Sequence, residues 1–177
     1  MKNFTITGKN LILKNYFEYK YLKDFITIAS DDDLEFLLMT HNFPHPYTEE
    51  DANFFINKNR EIDNEIFSID FYIFYNNNIA GVIGISDIDH INLRGHIGYW
   101  IGKNYRNRGI ATEAVNAVIN FAKNELGLHS IYTMTLIENT KSINILLKNK
   151  FEINGIEKDV FYYRNNFHSA YALSRIL

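Results

Sequence analysis

Arg106 and Arg108 stand in YRNRGIATEA, residues 105 to 114, at the head of a segment patterned as a helix. A helix N-terminus presents unpaired backbone N–H groups and about half a positive charge, so two arginines there are unfavourable unless an anion joins them. A phosphate or pyrophosphate meets that need, because free N–H groups, the dipole and guanidinium forks all favour it. Gly109 has no Cβ and lets the backbone approach a ligand closely, and Ala111 is small. The stretch reads R-x-x-G-x-A from Arg106 to Ala111. The dinucleotide fingerprint and the P-loop are both absent.

Other side chains could move protons or hold a ligand. His96, with an unperturbed pKa near 6.5, could take a proton from an amine, or be paired for structure on its strand. Asp87 is a second candidate base. Asn139 heads the segment NTKSINILLKNK, where it could cap a helix or reach a ligand. His41 and His45 have the spacing of a metal pair on a helix, but Pro44 and Pro46 argue against a helix, and no metal is assigned.

Positioning these groups falls to a chain of 177 residues, enough for one domain with a real core. It is 46% hydrophobic and 22% charged with a formal charge of −3, which gives no general drive toward nucleic acid or anionic membrane. The absence of cysteine removes disulfides, thiolate metal sites and an acyl-cysteine route. The N-terminal segment lacks a signal-peptide pattern and no run approaches about 18 apolar residues, so a cytoplasmic protein is expected. Oligomeric state is left open between monomer and homodimer.

The pattern predicts a strand over residues 4 to 14 and a helix from Tyr16 to Ala29. A capped short helix follows in SDDDLEFLL. Thr48 and Asp51 form a capping box for a helix whose face carries Ala52, Phe55, Ile56, Asn59 and Ile62. SIDFYIFY and IAGVIGIS flank an Asn turn as an antiparallel hairpin. HIGYWIG is a strand, Ala114 to Ala122 the buried face of a helix ending near Gly127, and HSIYTMTLI a further strand. A helix over ENTKSINILLKNK and two terminal strands, around Phe151 to Arg164 and Phe167 to Ile176, close the chain. The fold class is α+β: one domain, residues 1–177, around a mostly antiparallel mixed sheet with flanking helices.

R-x-x-G-x-A after HIGYWIG, then TEAV, then N-x-x-S from Asn139 to Ser142, resembles the GNAT N-acetyltransferases. HNFPHPYTEEDANFFI further resembles the RimJ/RimL-type ribosomal-protein N-terminal acetyltransferases. The resemblance implies a GNAT-type domain whose sheet is splayed at its central strands. It implies acetyl coenzyme A as cofactor, with its pyrophosphate on the backbone of Arg106, Asn107, Arg108, Gly109, Ile110, Ala111 and Thr112. The strand Gly98 to Ile101, with Tyr99 and Trp100, would bulge, splay from the following strand and hold the pantetheine arm, and Asn139 and Ser142 would lie near the thioester. Since side chains alternate on a strand, one of Tyr99 and Trp100 should face the core and the other a cleft.

Acetyl transfer needs a neutral amine, donors for a developing oxyanion and a proton for the departing thiolate. Without cysteine, direct attack in a ternary complex is expected, with a backbone N–H near Tyr99 to Ile101 meeting the oxyanion. The tyrosine acid of many relatives corresponds here to Leu147, which leaves Ser142 or water. His96 stands where many relatives have Glu. The acceptor is an amine, with a protein N-terminus favoured over a polyamine or aminoglycoside, and His45, Tyr47, Asp87 and Phe43 are placed about its cleft. A catalytically weak acyl-CoA sensor of the same fold is the competing reading.

Overall fold

A computed structural model of the chain describes residues 2–41, 43–58, 61–62 and 65–177. Residues 4 to 14 form a hairpin, not one strand: β1 (Thr5–Thr7) and β2 (Leu11–Lys14) pair antiparallel, because Gly8-Lys9-Asn10 interrupts the alternation with turn-forming types. The helical pattern from Tyr16 begins later than expected, with a 3-10 turn at Tyr19–Tyr21 and then α1 (Leu22–Ala29). α2 (Leu34–Leu37) is one turn without a side-chain cap. α3 (Glu49–Asn57) opens on the expected box, with Thr48 Oγ1 accepting from the Asp51 N–H and Asp51 Oδ2 accepting from the Thr48 N–H at 2.8 Å. It stops at Asn57, since Lys58 is already extended (φ −61°, ψ 140°). The expected helical face is therefore shorter: Ile62 falls in β3 (Glu61–Ile62), paired with β4 (Glu65–Ile66), and Asn59 lies outside the described residues.

The Asn turn is as expected, with Asn76 and Asn77 at φ 48° and 62° joining β5 (Ile69–Tyr75) to β6 (Asn78–Asp89). Then follow β7 (Arg94–Ile101), α4 (Ile110–Asn124), β8 (Ser130–Leu136), α5 (Thr140–Lys148), β9 (Glu152–Tyr163) and β10 (Asn166–Ile176). The main sheet has eight strands in the order β1-β2-β5-β6-β7-β8-β10-β9, and its one parallel pair is β7 with β8. On one face α4 buries Ala114, Val115, Val118, Ile119 and Ala122 against Phe71, Ile83 and Ile97. On the other, Phe25 of α1 and Ala52 of α3 pack on Tyr72 and Phe74.

The sheet is split where the site lies. β7 and β8 pair only through Arg94, Gly95 and His96 against Ser130, Ile131 and Tyr132. Beyond His96 the β7 edge turned toward β8 carries no further strand pairing among the described residues. The expected bulge is elsewhere: Gly98 to Ile101 pair regularly with Gly81 to Gly84, and the register breaks between Ser86 and Asp89 of β6. There Asp87 takes a left-handed φ of 50°, which Asp tolerates better than bulkier residues do.

Candidate active site

The split opens a chamber of about 990 Å³ between β7 and β8, bounded by the start of α4, the first turns of α5 and a cover of Leu34, Phe36 and Leu37 from α2. A second chamber of about 700 Å³ is lined by Phe43, Tyr47, Phe54, Phe55 and Val82. The two share Leu38, His96, Gly98, Tyr99 and Trp100. β7 therefore walls both chambers.

α4 begins on Gly109, which is left-handed (φ 78°) and offers no side-chain cap. A Cβ there would meet nothing within 4 Å, and the first residues of the helix border the large chamber. Arg106, Asn107, Gly109, Ile110, Ala111 and Thr112 line the large chamber, whereas Arg108 is exposed and does not. Arg106 corrects the expectation of an anion held between two guanidinium groups. Its Nη2 bonds Asp31 Oδ2 at 2.5 Å, its Nε donates to the Ile101 carbonyl at 2.9 Å, and Asp33 lies 3.8 Å from Nη1. The charge that answers this arginine comes from the chain itself.

α5 also starts at the large chamber, but it is closed: Asn139 Oδ1 accepts from the Ser142 N–H at 3.2 Å. Asn149 at its far end donates to the carbonyls of Ile145 at 2.9 Å and Thr112 at 3.3 Å, which ties α5 to the first turn of α4. Leu147 is 44% exposed and lines neither chamber.

Alternation sorts β7. Ser86, Gly84 and Val82 stand opposite His96, Gly98 and Trp100, so these side chains share one face. Trp100 packs against Phe25 and Phe43 at ring distances of 6.0 and 6.1 Å. Tyr99 points the other way, with its hydroxyl 3.0 Å from Ser142 Oγ. Burial pushes the Tyr99 phenol up to about 12, the bond to Ser142 working in the opposite sense. Ile101 is buried, with its carbonyl taken by Arg106.

His96 Nδ1 lies 3.3 Å from Ser86 Oγ, and its ring meets Tyr132 edge-on at 5.5 Å. Burial lowers its pKa below the usual histidine value, and the Asp87 carboxylate pulls it the other way. Asp87 is exposed and lines neither chamber; its hydrogen-bonded route to His96 runs through Ser86, whose hydroxyl lies 3.3 Å from Asp87 Oδ2. Tyr47 is buried in the second chamber, its phenol pushed up to about 12 by burial and by Asp51. His45 does not join it: Asp32 draws the imidazole outward, 3.1 Å away, and His45 lines neither chamber. His41 pairs separately with Glu35 at 3.6 Å.

Sequence reasoning missed the Tyr99–Ser142 bond, the α2 cover and the Asp31–Arg106 pair. The last had a signal, since three successive acidic residues exceed what one helix turn can use.

These features define a protein with two chambers meeting at one strand of a splayed sheet, one of them under an uncapped helix N-terminus. Residues 10–152 match the acetyltransferase (GNAT) domain family, and the chain belongs to it. It is 31% identical over 101 residues to the putative ribosomal N-acetyltransferase YdaF of Bacillus subtilis, covering 51% of this chain and 55% of that one. To the spermidine N(1)-acetyltransferase of Escherichia coli it is 26% identical over 91 residues, covering 51% and 49%. The chain thus spans about half the length of these two relatives. RimL, a ribosomal alpha-N-protein acetyltransferase solved with coenzyme A, superposes with a TM-score of 0.86 over 98% of each chain at 18% identity, a likeness of fold.

Proposed function

We propose that the protein is an N-acetyltransferase that takes acetyl coenzyme A in the large chamber and an amine, by preference a peptide α-amino group, in the second. The observation that carries this reading is that both chambers share His96, Gly98 and Trp100 as walls, with a half-buried imidazole among them. The large chamber fits such a cofactor on its own chemistry: an uncapped helix N-terminus with free space at Gly109 suits a diphosphate, and the unpaired edge of β7 suits an amide-bearing arm. When bound, acetyl coenzyme A supplies an activated thioester.

The residues then have distinct tasks. The N–H groups of Gly109, Ile110, Ala111 and Thr112 bind the diphosphate. His96 Nε2 takes the proton that the amine gives up, and its lowered pKa keeps it neutral near pH 7. Ser142 Oγ–H, hydrogen-bonded to the Tyr99 hydroxyl, holds a proton for the departing sulfur. Asn139 fixes the Ser142 backbone beneath. Backbone N–H groups of β7 beyond His96 face the reacting carbonyl.

The second chamber favours an α-amine over a polyamine. Its carboxylates are engaged, Asp70 with Lys58 at 3.1 Å and Asp51 in the Thr48 box, and its walls are aromatic. A polycation would find few open partners there, and an α-amine with pKa near 8 needs little deprotonation. Coenzyme A release with N-terminal peptides, spermidine and free lysine tests this. Peptides should be the best substrates, and His96→Gln should lower kcat by about 100-fold. Tight cofactor binding without turnover on any acceptor would instead favour the acyl-CoA sensor.

A further inference from the structure

The irregularity of β6 falls beside His96, between Ser86 and Asp89. Asp87 is left-handed at the register break, and this sets its carboxylate next to Ser86, the residue paired across the ladder with His96. Ser86 Oγ is 3.3 Å from Asp87 Oδ2 and 3.3 Å from His96 Nδ1. The Ser86 hydroxyl donates its single proton to the Asp87 carboxylate and presents lone pairs to the imidazole. His96 Nδ1 must then carry hydrogen, and Nε2 must not.

We infer that Asp87 and Ser86 are positioning residues that act through His96, a carboxylate–hydroxyl–imidazole chain that fixes the Nδ1–H tautomer and leaves the Nε2 lone pair for the acceptor amine. This rests on the proposed role of His96 as the base. The proton passes from the amine to Nε2, the imidazolium keeps its Nδ1–H on Ser86, and Asp87 offsets the new positive charge through space. Proton loss from Nε2 to solvent restores the start. The other charged or titratable groups around the ring are Tyr132 of β8 at its edge, Arg94, which stacks on Tyr132 at 4.7 Å, Tyr99 with its proton held, and the Lys58–Asp70 pair of the second chamber. Among these, only Asp87 reaches His96 through a hydrogen-bonded side chain.

The test uses 15N-labelled full-length protein, reading the His96 ring nitrogens by NMR and kcat/KM against pH. In the parent protein Nε2 should show the shift of an unprotonated nitrogen. Ser86→Ala should release the tautomer into a mixture and lower kcat about tenfold with the KM for acetyl coenzyme A unchanged, and Ser86→Thr should restore both. Asp87→Asn should move the acidic limb of kcat/KM to lower pH, since the charge that favours the imidazolium is gone. An unchanged tautomer and unchanged kcat in Ser86→Ala would overturn the chain. An active His96→Gln variant would remove the base reading instead, and the ring shifts would still report whether the hydrogen-bonded chain exists.

Discussion

The N-termini of α4 and α5 both border the large chamber, and they are finished differently. α5 starts under Asn139, whose Oδ1 satisfies the Ser142 N–H. α4 starts on left-handed Gly109, which has no side chain to offer. With glycine at the N-cap, α4 forgoes roughly a few tenths of a kcal/mol that a Ser, Asp or Asn side chain would add. The same chain shows that it can cap well, since Thr48 and Asp51 close α3 with a reciprocal box. On the proposed function the bare terminus is where an external anion would complete the helix, whereas the capped terminus holds Ser142 against Tyr99. A receptor and a support can look alike in sequence; what separates them is whether the structure fills its own donors.

Filling the open terminus should break that contrast most severely. Gly109→Trp should weaken coenzyme A binding more than 100-fold in calorimetry, because an indole at the head of α4 would fill part of the chamber that Gly109 to Thr112 border. Since a Cβ at Gly109 meets no neighbour, the fold should survive with only the strain of a left-handed residue. Normal affinity in this variant would mean that the diphosphate binds elsewhere.

The two arginines should part next. Arg106→Gln leaves the nearly buried Asp31 carboxylate without its partner, and should cost about 2 kcal/mol of stability, which is a Tm loss of about 4–8 °C. Arg108→Gln should leave Tm unchanged and weaken coenzyme A a few-fold at low salt, an effect that disappears as salt screens the exposed charge. Equal effects on stability would contradict the assignment of Arg106 to the chain's own acidic loop.

Smallest is the change at the closed terminus. Asn139→Ala should cost about 1 kcal/mol through loss of the cap, read by thermal melting. Asn139→Asp keeps an acceptor for the Ser142 N–H and should recover that stability. If Asn139→Asp also recovers full kcat, Asn139 serves only as a cap; a shortfall in kcat assigns its amide a contact with the bound cofactor.

The elements that carry these sites were legible because their signals are local. The Asn turn, the Thr48 box, the buried face of α4 and the strand before Arg106 all follow from side-chain periodicity and turn chemistry within a few residues. What was hidden depends on approach between distant segments. Asp31 meets Arg106 across 75 positions and Tyr99 meets Ser142 across 43, and neither pattern exists along the chain. The splay of β7 from β8 agreed with the family resemblance, but the bulge did not sit at Gly98 to Ile101. Backbone irregularity depends on which residue can take a positive φ, and Asp87 on the neighbouring strand is the one that does. Placing His45 at the acceptor cleft failed for a similar reason, since only the fold brings Asp32 within reach of its ring.

The central claim is that the start of α4 receives the diphosphate of coenzyme A on backbone N–H groups. A crystal structure of the protein with acetyl coenzyme A tests it directly. The account predicts diphosphate oxygens about 3 Å from the N–H groups of Gly109 to Thr112, with Arg106 still on Asp31. A diphosphate held by side chains at the rim, with those N–H groups facing only water, would contradict it.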